Sequence, residues 1–388
     1  MSGKNPFLGL GFGSPFTSFS RAAAVSLGKI VIGSRQHDTP LSNSGAAYVY
    51  DLDGTNELKI TASDAAIDDY FGRGVAVGSG KIVIGAASDD DNGNYNSGSV
   101  YVYDLDGTGE FKITASDSRV FQSFGRILAV GDGKIVVGVT GENSAAGAVY
   151  VYNLDGTGEI KISASDATGS DYFGSSVAVG DGKIVVGAVG EDPSGTSEGG
   201  SAYIYNLDGT GEIKITASDV ANNDNFGHSV AVGNSKIVVG SPYDDDAGSV
   251  SGSAYIYNLD GTGEIKITSP DDHAFEYFGQ SVAVGNNKVV VGCPMDDGGS
   301  QVGAVYVFNL DGTGPIKLTA SDGGGGDRLG ESVAIAGNKV VASASGDDDR
   351  GSNAGAAYIF DLETSSQIKL TASDGAGGDL YGAHVDVG

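Results

Sequence analysis

Three runs of aspartate are the residues of this sequence best suited to ligand chemistry. Carboxylates and backbone carbonyls are the ligands that Ca²⁺ prefers in proteins, so Ca²⁺ is the one cofactor that the sequence leaves open. The alternative interpretation is a solvated acidic surface, whose self-repulsion salt screens over about 3 Å at 1 M. The candidate metal ligands are Asp89, Asp90, Asp91, Asp244, Asp245, Asp246, Asp347, Asp348 and Asp349.

A catalytic constellation is not evident in the sequence. Nucleophilic catalysis needs a base beside the nucleophile, but the four histidines, His37, His228, His273 and His384, lie far apart along the chain. The single cysteine, Cys293, is interpreted as a small core residue. The sequence therefore predicts no catalytic residues and no enzyme, and a polysaccharide-active enzyme is the weakest alternative.

Aromatic and apolar residues supply the candidate partner contacts. Tyr95 and Tyr243 lie within acidic stretches and are predicted to contact a partner, for example by stacking on a sugar. The N-terminal stretch, residues 1–18, sets apolar side chains among glycines, which suits docking into a groove of another protein; an unstructured tail is the alternative. Its candidate contacts are Phe7, Leu8, Leu10 and Phe12.

Composition narrows the class of partner. The 388 residues carry 50 acidic against 22 basic side chains, a net charge of -28, so nucleic acid and anionic membrane surfaces are disfavoured. One cysteine excludes an intrachain disulfide, and no apolar run approaches the roughly 18 residues of a membrane span. The first residues lack the charged and apolar regions of a signal peptide, so classical secretion is not predicted.

A repeated unit decides the expected fold. Its Phe-Gly position recurs, with Leu or Tyr in the last two copies, at a mean spacing of about 52 residues, and 65 glycines punctuate the chain. Each unit holds four short β-branched and aromatic stretches bounded by Gly and Asp, which predict strands joined as hairpins. We therefore expect an all-β protein, a seven-bladed β-propeller of four-stranded antiparallel blades. The repeats start near residues 19, 71, 124, 173, 226, 278 and 329.

Closure of the ring is left open by the sequence. Residues 1–18 are predicted to form an N-terminal arm and residues 19–388 the propeller. Segments 19–26 and 381–388 both encode a first strand, so only one of them can be the inner strand of the first blade.

The repeats resemble the FG-GAP family, the propeller repeats of integrin α-subunit heads and of many microbial surface proteins. Phe-Gly is clear at Phe71, Phe124, Phe173, Phe226 and Phe278, and the Gly-Ala-Pro element survives as Gly240-Ser241-Pro242 and Gly292-Cys293-Pro294. The resemblance implies the propeller. It does not bring the family's calcium loop, because the first-to-second strand connection is only four residues here, as in 180–183. The run Tyr-Asn-Leu-Asp-Gly-Thr-Gly-Glu also resembles repeats of virion structural proteins of marine cyanobacterial phages.

Charge is unevenly divided between the two faces of the expected propeller. We call the surface formed by the second-to-third and fourth-to-first strand connections the acidic loop face; it holds 31 acidic residues against four arginines. These loops vary between copies, whereas the other turns barely change, so this face is the predicted functional surface. Seven lysines lie in the fourth strands, where we interpret them as guards against edge-to-edge pairing: Lys59, Lys112, Lys161, Lys214, Lys266, Lys317 and Lys369.

These features favour a non-enzymatic virion structural or attachment protein, located in the virion, with its acidic face outward. Its expected partners are other virion proteins, reached through the arm, and a host-surface glycan or protein, with no nucleic acid and no membrane insertion. The alternative is an extracellular or cell-surface bacterial adhesin.

Overall fold

Seven blades, each with four antiparallel strands, form a ring, which confirms the predicted β-propeller; one of the seven sheets carries a fifth strand. The computed structural model describes residues 19–22, 28–38, 41–90, 93–271, 273–296 and 300–388, and these residues form no α-helix. Inner strands of successive blades contact one another all the way round, so the ring is closed.

Each blade runs from an inner to an outer strand. The inner strands are β29 (His384–Val387), β5 (Phe71–Gly78), β9 (Ile127–Gly131), β13 (Phe173–Gly180), β17 (Ser229–Gly233), β21 (Ser281–Gly285) and β25 (Val333–Ala336). The second strands are β2 (Lys29–Ser34), β6 (Lys81–Ala86), β10 (Lys134–Val139), β14 (Lys183–Ala188), β18 (Lys236–Ser241), β22 (Lys288–Cys293) and β26 (Lys339–Ala344). The third strands are β3 (Ala46–Asp51), β7 (Ser99–Asp104), β11 (Ala148–Asn153), β15 (Ser201–Asn206), β19 (Ser253–Asn258), β23 (Ala304–Asn309) and β27 (Ala356–Asp361). The outer strands are β4 (Leu58–Ile60), β8 (Phe111–Ile113), β12 (Ile160–Ile162), β16 (Ile213–Ile215), β20 (Ile265–Thr268), β24 (Ile316–Leu318) and β28 (Gln367–Leu370).

The core consists of apolar layers between neighbouring blades. In β14 every residue after Lys183 is buried, because both faces of the strand pack against other blades. The Phe of each Phe-Gly fills such a layer; Phe226 lies edge-on to Tyr255 at 5.3 Å. Gly227 follows it with φ of 91°, and a Cβ there would crowd the backbone of the preceding blade, so glycine is required.

The C-terminal strand closes the ring. β29 pairs antiparallel with β2, Ile30 opposite Val387 and Gly33 opposite His384, so 381–388 supplies the inner strand of the first blade. The N-terminal strand β1 (Phe19–Ala22) pairs parallel with β17 instead and contacts β9, β13 and β21, which places it inside the ring as a fifth strand of that sheet. This fifth strand was not anticipated from the sequence.

Candidate functional site

Tyrosine, lysine and carboxylates recur together where neighbouring blades meet the acidic loop face. In the fifth blade Lys266 Nζ lies 2.7 Å from Asp219, 2.9 Å from Asp244 and 2.7 Å from Asp246. The hydroxyl of Tyr255 lies 2.6 Å from Asp244 and 2.9 Å from Asp219, and Lys266 Nζ sits 5.4 Å from the centre of its ring. We call this group of third-strand Tyr, outer-strand Lys and surrounding carboxylates the junction cluster.

The junction cluster is repeated around the ring. Its Asp comes from the loop that leaves the preceding blade, so each cluster joins two blades. In the first blade the lysine contacts His37 as well as one Asp. The remaining pairs are Lys59 with Asp374, Lys112 with Asp64 and Asp89, Lys161 with Asp117 and Glu142, Lys214 with Asp166 and Glu191, Lys317 with Asp271 and Asp296, and Lys369 with Asp322, Asp347 and Asp349.

A second set of contacts, beside the clusters of the first five blades, holds the same loop in place. The Ser165 backbone N–H and hydroxyl donate to Glu212 at 3.1 Å and 2.5 Å, and the Tyr205 hydroxyl donates to the same carboxylate at 2.8 Å. Equivalent contacts join Ser116 to Glu159 and Ser218 to Glu264. The repeated Thr-Ala-Ser-Asp and Gly-Glu-Ile-Lys-Ile sequences are therefore explained by the joining of blades, without any ligand.

The interpretation of the outer-strand lysines as guards against edge-to-edge pairing was wrong. They do not stand out along the sheet edge; they follow the neighbouring tyrosine ring to the acidic loop face and bind its carboxylates. Burial alone would lower the pKa of Lys266, but hydrogen bonds to Asp219, Asp246 and Asp244 outweigh it and raise that pKa above its ordinary value. The lysine ammonium groups thus neutralise part of the negative charge of the acidic loop face.

The predicted calcium ligands make different structural contacts, and several of them bind lysines. Asp244 and Asp246, with Asp219, bring carboxylate oxygens within 4.8 Å of one another, but the Lys266 ammonium already lies between them. Asp347 and Asp349 bind Lys369 in the same way. This donor set does not fit Ca²⁺, because a tethered cation holds the place of the metal.

The other members of the three aspartate runs close loops or stand at the surface. Asp89 pairs with Lys112 at 2.6 Å. Asp90 accepts a hydrogen bond from the Asn96 backbone, and Asp348 accepts one from Asn353, each at 2.7 Å. Asp245 is exposed, and Asp91 lies outside the described residues. Calcium binding by these other members, Asp89, Asp90, Asp91, Asp245 and Asp348, stays a prediction.

Buried carboxylates form a further layer beneath the loops. Asp224 lies two residues before Phe226 and accepts a 2.6 Å hydrogen bond from the Ala221 N–H. Burial and the charges of Asp244, Asp245 and Asp246 nevertheless raise its pKa to about 6. Asp69 has the same position in its repeat, and burial raises its pKa to about 6 as well.

Replacing Asp224 by Asn tests the cost of this buried charge. Because the pKa of Asp224 is higher in the folded state, its contribution to stability is full below about pH 4 and is lost as pH rises through 6. Asp224→Asn is therefore expected to match the wild type at pH 4 and to be more stable by about 1–2 kcal/mol at pH 7.5. Urea unfolding at both pH values measures this.

The third blade provides a natural precedent for the Asp224→Asn variant. There Gln122, a neutral amide, occupies the position and accepts a hydrogen bond from the Arg119 backbone. A variant that is less stable than the wild type at pH 7.5 would contradict the assignment.

An exposed aromatic patch stands on the acidic loop face of the second blade. Tyr95, Val120 and Phe121, 56%, 55% and 64% exposed, form it, and we call it the aromatic patch. The rings of Tyr95 and Phe121 meet edge to face at 5.4 Å, and the Phe121 N–H donates to the Tyr95 carbonyl at 2.9 Å. Phe121 has φ of 59°, an unfavourable backbone conformation for a bulky residue. The loop therefore presents an apolar ring to solvent at a backbone cost.

Sequence reasoning found part of this patch. Tyr95 is exposed, as a partner contact requires. Tyr243 is half-buried, because its ring packs on Tyr277 at 5.3 Å and on His228 at 6.2 Å. Val120 and Phe121 were missed, although the same loop positions carry exposed apolar side chains in two other repeats, Ile67 and Phe275. Phe7, Leu8, Leu10 and Phe12 lie outside the described residues.

A cavity of about 340 Å³ opens between the sixth and seventh blades. Ile316, Leu318, Phe360 and Leu362 line it. In other blades the Leu-Asp-Gly-Thr-Gly turn packs a glycine against the preceding outer strand, as Gly312 does against Ile267. The seventh blade has Leu-Glu-Thr-Ser-Ser at this turn, and Ile316 is correspondingly exposed.

Comparison with known proteins identifies the repeat. The FG-GAP repeat family model matches residues 55–103, 157–205, 210–257, 262–308 and 315–360, together more than half of the chain. Each matched segment spans the outer strand of one blade and the first three strands of the next. No curated protein matches the chain. None of the described residues forms a helix with the length and apolar character needed to cross a bilayer.

Proposed function

Because the chain belongs to the FG-GAP repeat family, we propose that it is a non-enzymatic attachment protein that binds a saccharide through its acidic loop face. The observation that carries this proposal is the aromatic patch. Exposed rings of Tyr95 and Phe121 offer flat apolar surfaces to a sugar, and carboxylate and amide groups in the adjoining loops can bond its hydroxyls.

The rest of the acidic loop face supports this proposal, because residues that join the blades differ from those that are exposed to solvent. The tyrosines, lysines and most buried carboxylates form repeated contacts that join blades, so they are occupied by structure in every repeat. Two other repeats expose apolar residues at the positions of Val120 and Phe121, namely Ile67 and Phe275. The position of Tyr95 is Ser in every other repeat, so the pair of facing rings is specific to the second blade, and its side chains lie in solvent. Sequence variation confined to exposed loops of a rigid scaffold is typical of binding surfaces.

Our finer proposal is that the protein is a virion component, with its acidic loop face outward and its N-terminal arm bound to other virion proteins. It rests on the resemblance of the repeats to those of cyanophage virion proteins. A bacterial surface adhesin of the FG-GAP type is the second candidate, favoured by the family itself.

Mass spectrometry of purified virus particles and of the cell-envelope fraction from the same culture separates the two candidates. The proposal expects the chain at constant stoichiometry in the particles and not in the envelope of uninfected cells. Recovery from the envelope alone would establish the adhesin instead. Deleting residues 1–18 should prevent incorporation into particles, and incorporation of the truncated chain would contradict the role of the arm.

A further inference from the structure

One position in the loop before each inner strand has a left-handed backbone conformation in all seven repeats. It lies three residues before the Phe-Gly position, and its φ ranges from 59° to 97°. Its N–H donates to a carbonyl of the second-to-third strand loop of the preceding blade, in the case of Phe275 to that of Ser249 at 2.9 Å. Phe121 and Phe275 hold this position in two repeats. Small or polar residues, which adopt the conformation more readily, hold it in the others: Asp68, Ser170, Asn223, Gly326 and Gly378.

Phe275 exposes an aromatic ring at this position. The residue is 57% exposed, close to the 64% of Phe121. A bulky side chain is unfavourable in a left-handed conformation, and a ring so exposed adds little to the core. The facing ring that Tyr95 offers to Phe121 has no counterpart beside Phe275, because the equivalent residue is Ser249. Neither backbone geometry nor burial therefore accounts for a phenylalanine here.

Two neighbours of Phe275 also depart from the repeat. In five repeats an Asp at the position of Glu276 accepts a hydrogen bond from the backbone N–H three residues before it, as Asp224 does from Ala221 at 2.6 Å. Glu276 is one methylene longer, and its carboxylate lies 3.1 Å from Nδ1 of the His273 side chain. Glu276 is fully buried, whereas the His273 side chain is 61% exposed. The buried carboxylate thus holds an imidazole at the surface of the turn that carries Phe275.

The groups at this turn suit a saccharide. A flat ring packs against the apolar face of a sugar, and an imidazole can donate and accept hydrogen bonds with its hydroxyl groups. The loop that meets Phe275 adds the exposed side chains of Asp245 and Ser249, which supply a carboxylate and a hydroxyl. Since the carboxylates of this face repel anionic chains, the chemistry fits an uncharged or basic saccharide.

Phe275 and the aromatic patch lie on nearly opposite sides of the acidic loop face. Phe275 stands between the fifth and sixth blades and Phe121 between the second and third, three blades apart in a closed ring of seven. The blades form one continuous ring, so the separation of the two sites is fixed. Two fixed sites can bind one long polymer at two points, and the second contact then forms at a high effective concentration. This arrangement favours a repeating polysaccharide over a single sugar.

We propose that Phe275 and His273 form a second saccharide site, through which the protein binds a repeating polysaccharide at two points. This second site rests on the proposed function, because it takes the same class of ligand as the aromatic patch. Phe275 stacks on a sugar ring, and His273, positioned by Glu276, bonds its hydroxyl groups. The two sites act together on a long chain and independently on a short one.

The number of short saccharides bound per chain tests the second site. The probe is a tetrasaccharide prepared from the polysaccharide that the wild type binds, and isothermal titration calorimetry measures its stoichiometry. We expect about two per chain for the wild type, and about one for Phe275→Asn and for Tyr95→Ala/Phe121→Ala. Phe275→Asn should keep or exceed the melting temperature of the wild type, because Asn223 holds the equivalent position and Asn readily adopts a left-handed conformation.

Binding of the intact polysaccharide provides a second readout. Loss of either site should weaken it at least about tenfold, because the second point of contact is lost. Ile67→Asn is the control on the same face: it removes a residue that is 61% exposed but aliphatic, and it should change neither stoichiometry nor affinity. If Phe275→Asn does not fold, His273→Ala decides in its place, because Ala66 and Ala221 hold the equivalent position in other repeats. It should weaken tetrasaccharide binding at one of the two sites.

The outcomes separate the second site from the proposed function. A wild type that binds a single tetrasaccharide, lost in Tyr95→Ala/Phe121→Ala and unchanged in Phe275→Asn, would reject the second site and leave the proposed function standing. Binding abolished by Phe275→Asn alone would establish the site at Phe275 and reject the one at the aromatic patch. A wild type that binds no saccharide on an array of polysaccharides would reject both.

Discussion

Deleting residues 381–388 is expected to lower the free energy of unfolding by about 5–10 kcal/mol and to leave much of the chain unfolded at 37 °C. The segment supplies β29, and its side chains of Tyr381, Val385 and Val387 are buried in the layer between the seventh and first blades. Each such side chain contributes about 1.5–3 kcal/mol. The truncation also exposes the inner edge of β2, which now pairs with β29.

Circular dichroism during thermal unfolding measures this effect, and a matched truncation supplies the control. Removing residues 1–18 deletes no described strand and is expected to leave the melting temperature within a few degrees of the wild type. Adding a peptide of residues 381–388 to the C-terminal truncation should restore part of the lost stability. An unchanged melting temperature after the C-terminal deletion would show that the ring closes by another route.

Replacing Lys266 by Met should cost about 2–4 kcal/mol, since Asp244 is buried and loses the ammonium that compensates its charge, whereas the other two partners are partly exposed. Asp219, Asp244 and Asp246 would then repel one another with Asp244 buried. Met preserves the apolar stem over Tyr255, so the loss reports the ammonium. Lys236→Met is the matched control, because among the described residues Lys236 donates only to the Asn258 side chain, at 2.8 Å, and it lies on the opposite face; its cost should stay below about 1 kcal/mol.

Variants of Lys266 also distinguish the two interpretations of the aspartate runs, which are calcium binding and a solvated acidic surface. In the wild type Lys266 serves as the cation, so EDTA and millimolar Ca²⁺ should leave the melting temperature unchanged. Lys266→Ala opens space among three carboxylates, and we expect Ca²⁺ to recover part of its lost stability. A wild-type melting temperature that falls in EDTA would show that calcium is part of the native structure.

The fold was predictable because every copy of the repeat contains the same strand and turn signals. Short β-branched and aromatic strands, hairpin turns at Asp-Gly and a spacing of about 52 residues leave little choice besides a propeller. Ring closure was not predictable, because residues 19–26 and 381–388 have equivalent strand patterns. The structure places β29 beside β2 and β1 inside the ring, a choice that depends on long-range packing.

The role of the lysines could not be obtained from pattern alone. Tyr255 lies directly opposite Lys266 in the register between β19 and β20. This pairing places the lysine side chain along the tyrosine ring, and it cannot be deduced from the sequence pattern. Phe121 was missed for the same reason, since its contact with Tyr95 depends on which loops meet at one end of the blade. The strands could therefore be predicted from local sequence, whereas the side-chain contacts depend on which strands and loops lie next to one another.

Binding of the full chain to an array of bacterial surface polysaccharides tests the central claim most directly. We expect the wild type to bind at least one saccharide and the double variant Tyr95→Ala/Phe121→Ala to bind it at least about tenfold more weakly, a loss of about 1.4 kcal/mol or more. Ile316→Ala, which removes an exposed apolar side chain from an outer strand, should bind as the wild type does. Absence of binding to every saccharide, or equal binding by the double variant, would contradict a saccharide site at the aromatic patch.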